Sequence, residues 1–167
     1  MFRPSQLIAS LSALALLAGC ASVETPPPAA PAAVVELSPG VAWVANDPTW
    51  GEEAEVVFAE ATAYVDDVAA SRPAKSWAVA LDLDETVMNN VAYQIERETT
   101  GTPFTRENWH AWTQSKEATL VPGAKDFVQH VTAIGGFVAF VTNRGDEDQL
   151  ATEENLAALG LLRNRDF

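Results

Sequence analysis

The sequence predicts an α/β domain with a parallel sheet and flanking helices. Two short apolar runs, residues 76–81 and 137–141, are typical of strands that are buried on both faces. The stretch between them has helical patterns and is long enough for a crossover, which parallel strands require. Such connections are right-handed in almost all sheets, so two parallel strands joined by a helical crossover define the predicted fold class.

The first half of the folded region begins near Val41. Apolar residues spaced three and four apart, with acids between them, predict a helix over residues 52–70, and Pro73 follows its expected end. The strand over residues 76–81 comes next. It runs without interruption into Asp82.

A mixed region follows over residues 87–122, where Thr105 is expected to cap a short helix that ends at Ser115. The region is rich in aromatic side chains, which either pack within a helical insertion or stack on a nucleobase. His110 is expected to be a surface or packing residue. The aromatic residues are Tyr93, Phe104, Trp109 and Trp112.

The second half of the folded region repeats the helix–strand order. Pro122-Gly123 is expected to open a helix that Gly135-Gly136 ends, and the strand over residues 137–141 follows. Residues 147–159 are the last predicted helix, with Gly160 as its C-terminal cap and acids in its first turn.

The N-terminal residues 1–19 are expected to be a signal peptide. Arg3 provides the positive charge, residues 7–18 are apolar apart from two serines, and Leu17-Ala18-Gly19-Cys20 ends the segment. This pattern resembles the lipobox of bacterial lipoproteins, in which Cys20 carries the lipid. We therefore expect export and a lipid anchor in a membrane, at the outer membrane or the periplasmic face.

Residues 20–40 are predicted to be a tether between the lipidated Cys20 and the folded domain, residues 41–167. The tether is rich in proline and alanine, and such a composition cannot build a core. Cys20 is the only cysteine of the 167 residues, so the chain cannot form an internal disulfide. The formal net charge of −13 and the lack of a basic stripe argue against nucleic acid as a partner.

Polar residues follow both predicted strands, at the sheet edge where ligands of parallel sheets bind. The first strand continues into Asp82-Leu83-Asp84-Glu85-Thr86, and the second ends in Thr142-Asn143-Arg144. Two carboxylates this close repel each other unless a cation or a shared proton resolves the conflict, and Mg²⁺ would do so. Arg144 is expected either to reach a bound phosphate or to form a surface ion pair.

These motifs resemble the haloacid dehalogenase (HAD) superfamily, and in particular its class C acid phosphatase and 5'-nucleotidase lipoproteins. The closer similarity rests on segments around the two motifs, and it extends over about residues 41–167. It implies a HAD-like, Rossmann-like fold. The segments are Val41-Ala42-Trp43, Phe104-Thr105 to Trp112, Val121-Pro122-Gly123-Ala124 and Val141-Thr142-Asn143-Arg144.

The resemblance also implies a role for each site residue. Asp82 matches the nucleophile that becomes an aspartyl-phosphate, and Asp84 matches the general acid and base. Mg²⁺ would be held by the Asp82 carboxylate and the Asp84 carbonyl. Thr142 and the neighbouring Asn143, together with backbone N–H groups near Leu83, would bind the phosphoryl group.

The sequence departs from the family pattern at two places. Asn89 stands where the family usually has an aspartate, which puts any charged role there in doubt. The lysine of the third motif and the aspartates of the fourth belong to a C-terminal half without a counterpart here, so we expect a fragment or a truncated gene product. A complete small α/β domain is the alternative.

The predicted function is that of an exported, Mg²⁺-dependent phosphomonoesterase acting on a small substrate, with nucleotides among the candidates. Two alternatives remain open. The chain could be a truncated, non-catalytic lipoprotein, or it could be a HAD phosphotransferase, because the same two aspartates serve both reactions.

Overall fold

The structure, a computed structural model, describes residues 35–161. The predicted signal peptide, Cys20 and most of the predicted tether lie outside the described residues. No helix within the described range is long and apolar enough to cross a membrane. The elements of this range, in chain order, are α1 Pro39–Asn46, α2 Pro48–Ala69, β1 Ala78–Asp82, β2 Met88–Asn89, α3 Val91–Thr100, α4 Arg106–Ser115, β3 Thr119–Leu120, α5 Ala124–Ala133, β4 Phe137–Val141, a 3₁₀ turn Asp146–Asp148 and α6 Gln149–Ala158.

Strands β1 and β4 pair in parallel, as the two apolar runs predict. Ala78 lies opposite Phe137, and Asp82 lies opposite Val141. The carboxyl ends of both strands therefore meet at one edge of the sheet. This register places Asp82 beside the residue that precedes Thr142.

The prediction that both strands are buried on both faces is wrong for the described residues. Side chains along each strand alternate between half-buried and exposed. Val79 of β1 and Val138 of β4 pack towards α2 and α5, whereas Phe137 is 55% exposed and Val141 is 60% exposed. The alternation arises because, among the described elements, the core lies on one face of this two-stranded sheet.

Helices α2 and α5 cover the buried face of the sheet. Val65 of α2 packs with Phe127 and Val131 of α5, and the rings of Phe58 and Phe127 are 5.6 Å apart. Helix α2 begins four residues before the predicted start, at Pro48. The earlier start is explained by Asp47, whose carboxylate accepts a hydrogen bond from the backbone N–H of Thr49 at 2.9 Å.

The segment between β1 and α5 packs into a second core cluster, which it shares with Val128 of α5 and Leu156 of α6. The sequence predicts α4, and Thr105 caps it through a capping box with Asn108. Helix α3 and the antiparallel pair of β2 and β3 have no separate sequence signal. Met88 of β2 and Trp112 of α4 are among the buried residues of this cluster.

Helix boundaries elsewhere are close to the predictions. Gly123, at the start of α5, has φ of +82°, and a Cβ there would lie 2.9 Å from the Cβ of Phe58. The predicted last helix instead begins with the 3₁₀ turn, and only residues from Gln149 onward are α-helical. Helix α1 begins at Pro39, near the predicted end of the tether.

Candidate active site

The turn after β1 presents the two aspartates at the edge of the sheet. The carbonyl of Leu83 accepts hydrogen bonds from the backbone N–H groups of Val87 at 2.9 Å and Met88 at 2.7 Å. The Leu83 side chain is buried, which anchors the turn in the core. Only its backbone can therefore face a ligand. Glu85 adopts a left-handed conformation with φ of 60°, which lets the chain turn back after Asp84.

Asp82 is exposed at the last position of β1. One carboxylate oxygen accepts a long hydrogen bond from the hydroxyl of Thr86, at 3.4 Å. This weak contact leaves most of the carboxylate accessible to a ligand or to solvent. The side chain can therefore approach an electrophile without first breaking a strong ion pair.

Asp84 is in a different environment, because both of its carboxylate oxygens accept hydrogen bonds from protein groups. Oδ1 accepts from Arg144 Nη2 at 2.6 Å and from Asn90 Nδ2 at 3.0 Å. Oδ2 accepts from Arg144 Nε at 3.2 Å and from Thr142 Oγ1 at 3.3 Å. The two aspartates thus differ, with Asp82 accessible and Asp84 oriented.

Glu85 adds a third carboxylate to the turn. Its carboxyl accepts a hydrogen bond from Asn90 at 3.1 Å. Although the residue as a whole is exposed, burial of the carboxyl raises the pKa of Glu85. The hydrogen bond from Asn90 opposes the rise in pKa, and the negative charge of Asp84 adds to it.

The second motif reaches the site through Thr142 and Arg144. Thr142 Oγ1 contacts Asp84 and also accepts a hydrogen bond from the backbone N–H of Arg144 at 3.1 Å. Asn143 is exposed, and no hydrogen bond joins its side chain to the other site residues within the range 35–161. The structure therefore brings Thr142 to the aspartates but not the side chain of Asn143.

Sequence reasoning underestimated two residues. The side chain of Arg144 is only 3% exposed, so it forms a buried ion pair with Asp84 rather than a surface one. Asn90 is fully buried and bridges Asp84 to the indole N–H of Trp112. A buried arginine is unusual unless it is paired, and two adjacent carboxylates were a sequence signal for its partner.

The neighbouring Asn89 precedes Asn90, the N-cap residue of helix α3, and its side chain bonds to the first residue of that helix. Its side-chain oxygen accepts a hydrogen bond from the backbone N–H of Val91 at 2.8 Å. This contact requires an acceptor oxygen and no charge, so the amide fulfils it as an aspartate would.

The aromatic residues of the insertion are mostly internal. Tyr93 and Trp112 are buried, with ring centroids 5.9 Å apart, whereas Phe104 is 56% exposed. His110 contacts the buried carboxylate of Asp148 at 2.6 Å. Asp148 therefore joins α4 to the 3₁₀ turn. This contact adds to the role expected for acids at the start of a helix.

The donor set for a metal ion at this edge is small. No group of three or more His, Cys, Asp or Glu side chains that could hold a metal ion occurs among residues 35–161. A groove of about 810 Å³ runs along β4 and is lined by Thr142 and Arg144, but neither aspartate lines it. The accessible Asp82 carboxylate and the Asp84 carbonyl remain as two oxygen ligands, which suits Mg²⁺ because this ion keeps several waters.

Comparison with known proteins identifies relatives of this arrangement. The chain is similar to the class C acid phosphatase from Bacillus anthracis with tungstate bound, at 25% identity and a TM-score of 0.70. A second structure of that Bacillus anthracis enzyme gives 25% identity and a TM-score of 0.69. Each match covers 75% of this chain and 53% of the other, so the chain spans about half the length of these relatives.

A family model described as HAD superfamily, subfamily IIIB (acid phosphatase), matches residues 9–166. The predicted HAD-like α/β fold and the resemblance to class C acid phosphatases are confirmed by these matches. The chain belongs to the subfamily IIIB acid phosphatases of the HAD superfamily.

Proposed function

We propose that this protein hydrolyses phosphomonoesters, with Asp82 as the nucleophile and Asp84 as the general acid and base. One observation supports these roles above the others: the accessible carboxylate of Asp82 and the fixed carboxylate of Asp84 follow the same strand, beside Thr142. A nucleophile must be free to reach phosphorus, whereas an acid–base group works best when its orientation is set in advance.

The proposed reaction has two steps. A carboxylate oxygen of Asp82 forms a bond to phosphorus while the bond from phosphorus to the leaving oxygen breaks, and Asp84, which is protonated at the start of the cycle, gives its proton to that oxygen. Asp84 then takes a proton from water as the water oxygen bonds to phosphorus. The bond between Asp82 and phosphorus breaks, which releases inorganic phosphate and restores both residues.

Thr142 and the turn would bind the phosphoryl group in both steps. The Thr142 hydroxyl and backbone N–H groups near Leu83 are the donors proposed for its oxygens. The Asp82 carboxylate and the Asp84 carbonyl would hold Mg²⁺, which would supply positive charge to offset the negative charges of the nucleophile and the phosphate.

The substrate and the location are finer proposals. A small phosphomonoester suits the open edge of the sheet, and a 5'-nucleotide is one candidate. The burial of Tyr93 and Trp112 leaves the exposed Phe104 as the aromatic side chain of the insertion that is most available for stacking. We further propose export and lipidation at Cys20, at the outer membrane or the periplasmic face, on the lipobox pattern of Leu17-Ala18-Gly19-Cys20.

The activity is tested by assaying the full chain with p-nitrophenyl phosphate, with Mg²⁺ and with a chelator. We expect turnover that requires Mg²⁺ and is lost in Asp82→Asn, while Asp146→Asn, an exposed aspartate near the site, is a matched control that keeps it. Unchanged turnover in Asp82→Asn would exclude this residue as the nucleophile. Absence of turnover in the wild-type chain would contradict the proposed function.

Lipidation is tested separately, by expressing the full gene in bacteria fed a labelled fatty acid. We expect label in the wild-type protein and none in Cys20→Ser. Equal labelling of the two proteins, or none in either, would contradict the proposed anchor.

A further inference from the structure

Two side chains, Arg144 and Asn90, hold the Asp84 carboxylate, and each of them also contacts helix α4. Arg144 donates to the carboxylate from both Nε and Nη2, while its Nη1 donates to Thr152 Oγ1 at 3.1 Å. The side-chain nitrogen of Asn90 donates to Asp84 Oδ1 at 3.0 Å. Neither side chain can rotate freely, because the Arg144 side chain and Asn90 are both buried.

Each of these two side chains contacts a different tryptophan of α4. The indole N–H of Trp112 donates to Asn90 Oδ1 at 2.9 Å, which fixes the amide with its nitrogen towards Asp84. The guanidinium of Arg144 lies 5.5 Å from the ring centroid of Trp109, a distance typical of a cation–π contact. Trp109 and Trp112 are three residues apart and therefore share one face of the helix.

We propose that α4 positions the acid–base group: Trp112 through Asn90, and Trp109 through Arg144, orient the Asp84 carboxylate towards the leaving oxygen of the substrate. This inference rests on the proposed function, because the acid–base role of Asp84 is itself a proposal. It makes the four residues positioning residues, none of which needs to touch the substrate.

The packing of Trp109 and Trp112 favours a positioning role for them over stacking on a substrate. Trp112 is 8% exposed, and its ring faces Tyr93, so it has no free face for a nucleobase. The edge of Tyr93 also packs against Trp109, with centroids 5.1 Å apart. The aromatic side chains therefore hold α4 in place beside Arg144 and Asn90.

Leaving-group dependence distinguishes positioning from a general loss of structure. An alkoxide leaves only when it is protonated, so hydrolysis of glycerol phosphate depends on a well-placed Asp84. A p-nitrophenolate leaves readily without a proton. A displaced acid lowers kcat/KM, which reports only on the steps up to departure of the leaving group, much more for glycerol phosphate than for p-nitrophenyl phosphate. A smaller folded fraction lowers kcat/KM equally for both esters.

Trp112→Phe is the informative variant, because it keeps an aromatic ring and removes the N–H donor. We expect kcat/KM for glycerol phosphate to fall about tenfold, within the contribution of general acid catalysis, and kcat/KM for p-nitrophenyl phosphate to fall less than about twofold. Trp43→Phe is the matched control, because it also loses an indole hydrogen bond, to Thr49 outside the site. Equal losses for both substrates would overturn the proposal.

A measurement without turnover tests the same contact. We expect the carboxyl ¹³C resonance of Asp84 to shift in Trp112→Phe and to stay in place in Trp43→Phe. An unchanged resonance in Trp112→Phe would overturn positioning by α4 even in an active enzyme. A wild-type chain that hydrolyses neither ester would refute the proposed function and with it any catalytic effect of α4, and the resonance would still show whether α4 orients Asp84.

Discussion

Asp148 gives the sharpest prediction about stability. It is 3% exposed, and its Oδ1 accepts hydrogen bonds from Thr113 at 2.5 Å, from His110 at 2.6 Å and from Gln114 at 3.2 Å. These contacts attach α4 to the 3₁₀ turn that follows the second motif. The perturbation we consider is the replacement Asp148→Ala.

The magnitude follows from what each donor does after the replacement. Hydrogen bonds to charged groups contribute about 1.5–3 kcal/mol each, so three of them would sum to about 5–9 kcal/mol. The full sum is not expected, because Thr113 has a second acceptor in the His110 carbonyl at 2.8 Å. Gln114 is exposed and the His110 side chain is 46% exposed, so both can turn to water. We expect a loss of about 2–3 kcal/mol.

The pH dependence distinguishes the charge of Asp148 from its shape. Burial alone would raise the pKa of Asp148, but the hydrogen bonds from Thr113, Gln114 and His110 together outweigh it and lower the pKa. A carboxyl whose pKa is lower in the folded state stabilises the fold fully above its unfolded pKa of about 3.9. That stabilisation is lost as the pH falls through the folded-state pKa.

The assay is urea unfolding followed by tryptophan fluorescence, at pH 7 and at a series of values below pH 4. We expect Asp148→Ala to lose about 2–3 kcal/mol at pH 7. We also expect Asp148→Asn, which keeps the shape and removes the charge, to be less stable than the wild type at pH 7, and the difference to shrink as the pH falls below about 3.9. Asp146→Asn, an exposed neighbour in the same turn, should change stability by less than about 0.5 kcal/mol. A difference between Asp148→Asn and wild type that stays constant down to the lowest pH would refute the electrostatic reasoning.

Three further predictions concern packing and capping, and urea unfolding checks each of them. Val131 is fully buried, so Val131→Ala should lose about 2–3 kcal/mol, and a loss below about 1 kcal/mol would contradict its place in the core. Gly123→Ala combines a positive φ with a clash against Phe58 and should lose about 1–3 kcal/mol; unchanged stability would show that the turn is built differently. Asn89→Asp should be nearly neutral and Asn89→Leu should lose about 1 kcal/mol, and equal effects would contradict the cap on Val91.

The parts of the fold with strong local signals could be predicted from sequence. The strand over residues 137–141 matches β4, and Thr105 caps α4 as its residue type suggests. Burial of both faces of β4 could not be predicted correctly, because an apolar run does not show how many layers cover it. The two-residue strands β2 and β3 are too short to carry a periodic pattern.

The site could be predicted only as far as its motif. Asp82, Asp84 and Thr142 follow the two strands, and the register of the sheet brings them to one edge. The roles of Asn90 and Arg144 depend on side chains separated by many residues, and their burial is visible only in the folded chain. The two adjacent carboxylates indicated a partner for a buried arginine, but no local pattern shows that Arg144 and Asn90 are buried or that Asn90 contacts Asp84.

The most direct test of the account is identification of the residue that carries the phosphoryl group. Asp84→Asn should slow hydrolysis of the intermediate, so that acid quenching after mixing with p-nitrophenyl phosphate and Mg²⁺ traps it for mass spectrometry of peptides. We predict a phosphoryl group on the peptide at Asp82, and none in Asp82→Asn. A phosphoryl group on another residue, or turnover by Asp82→Asn at the wild-type rate, would contradict the account.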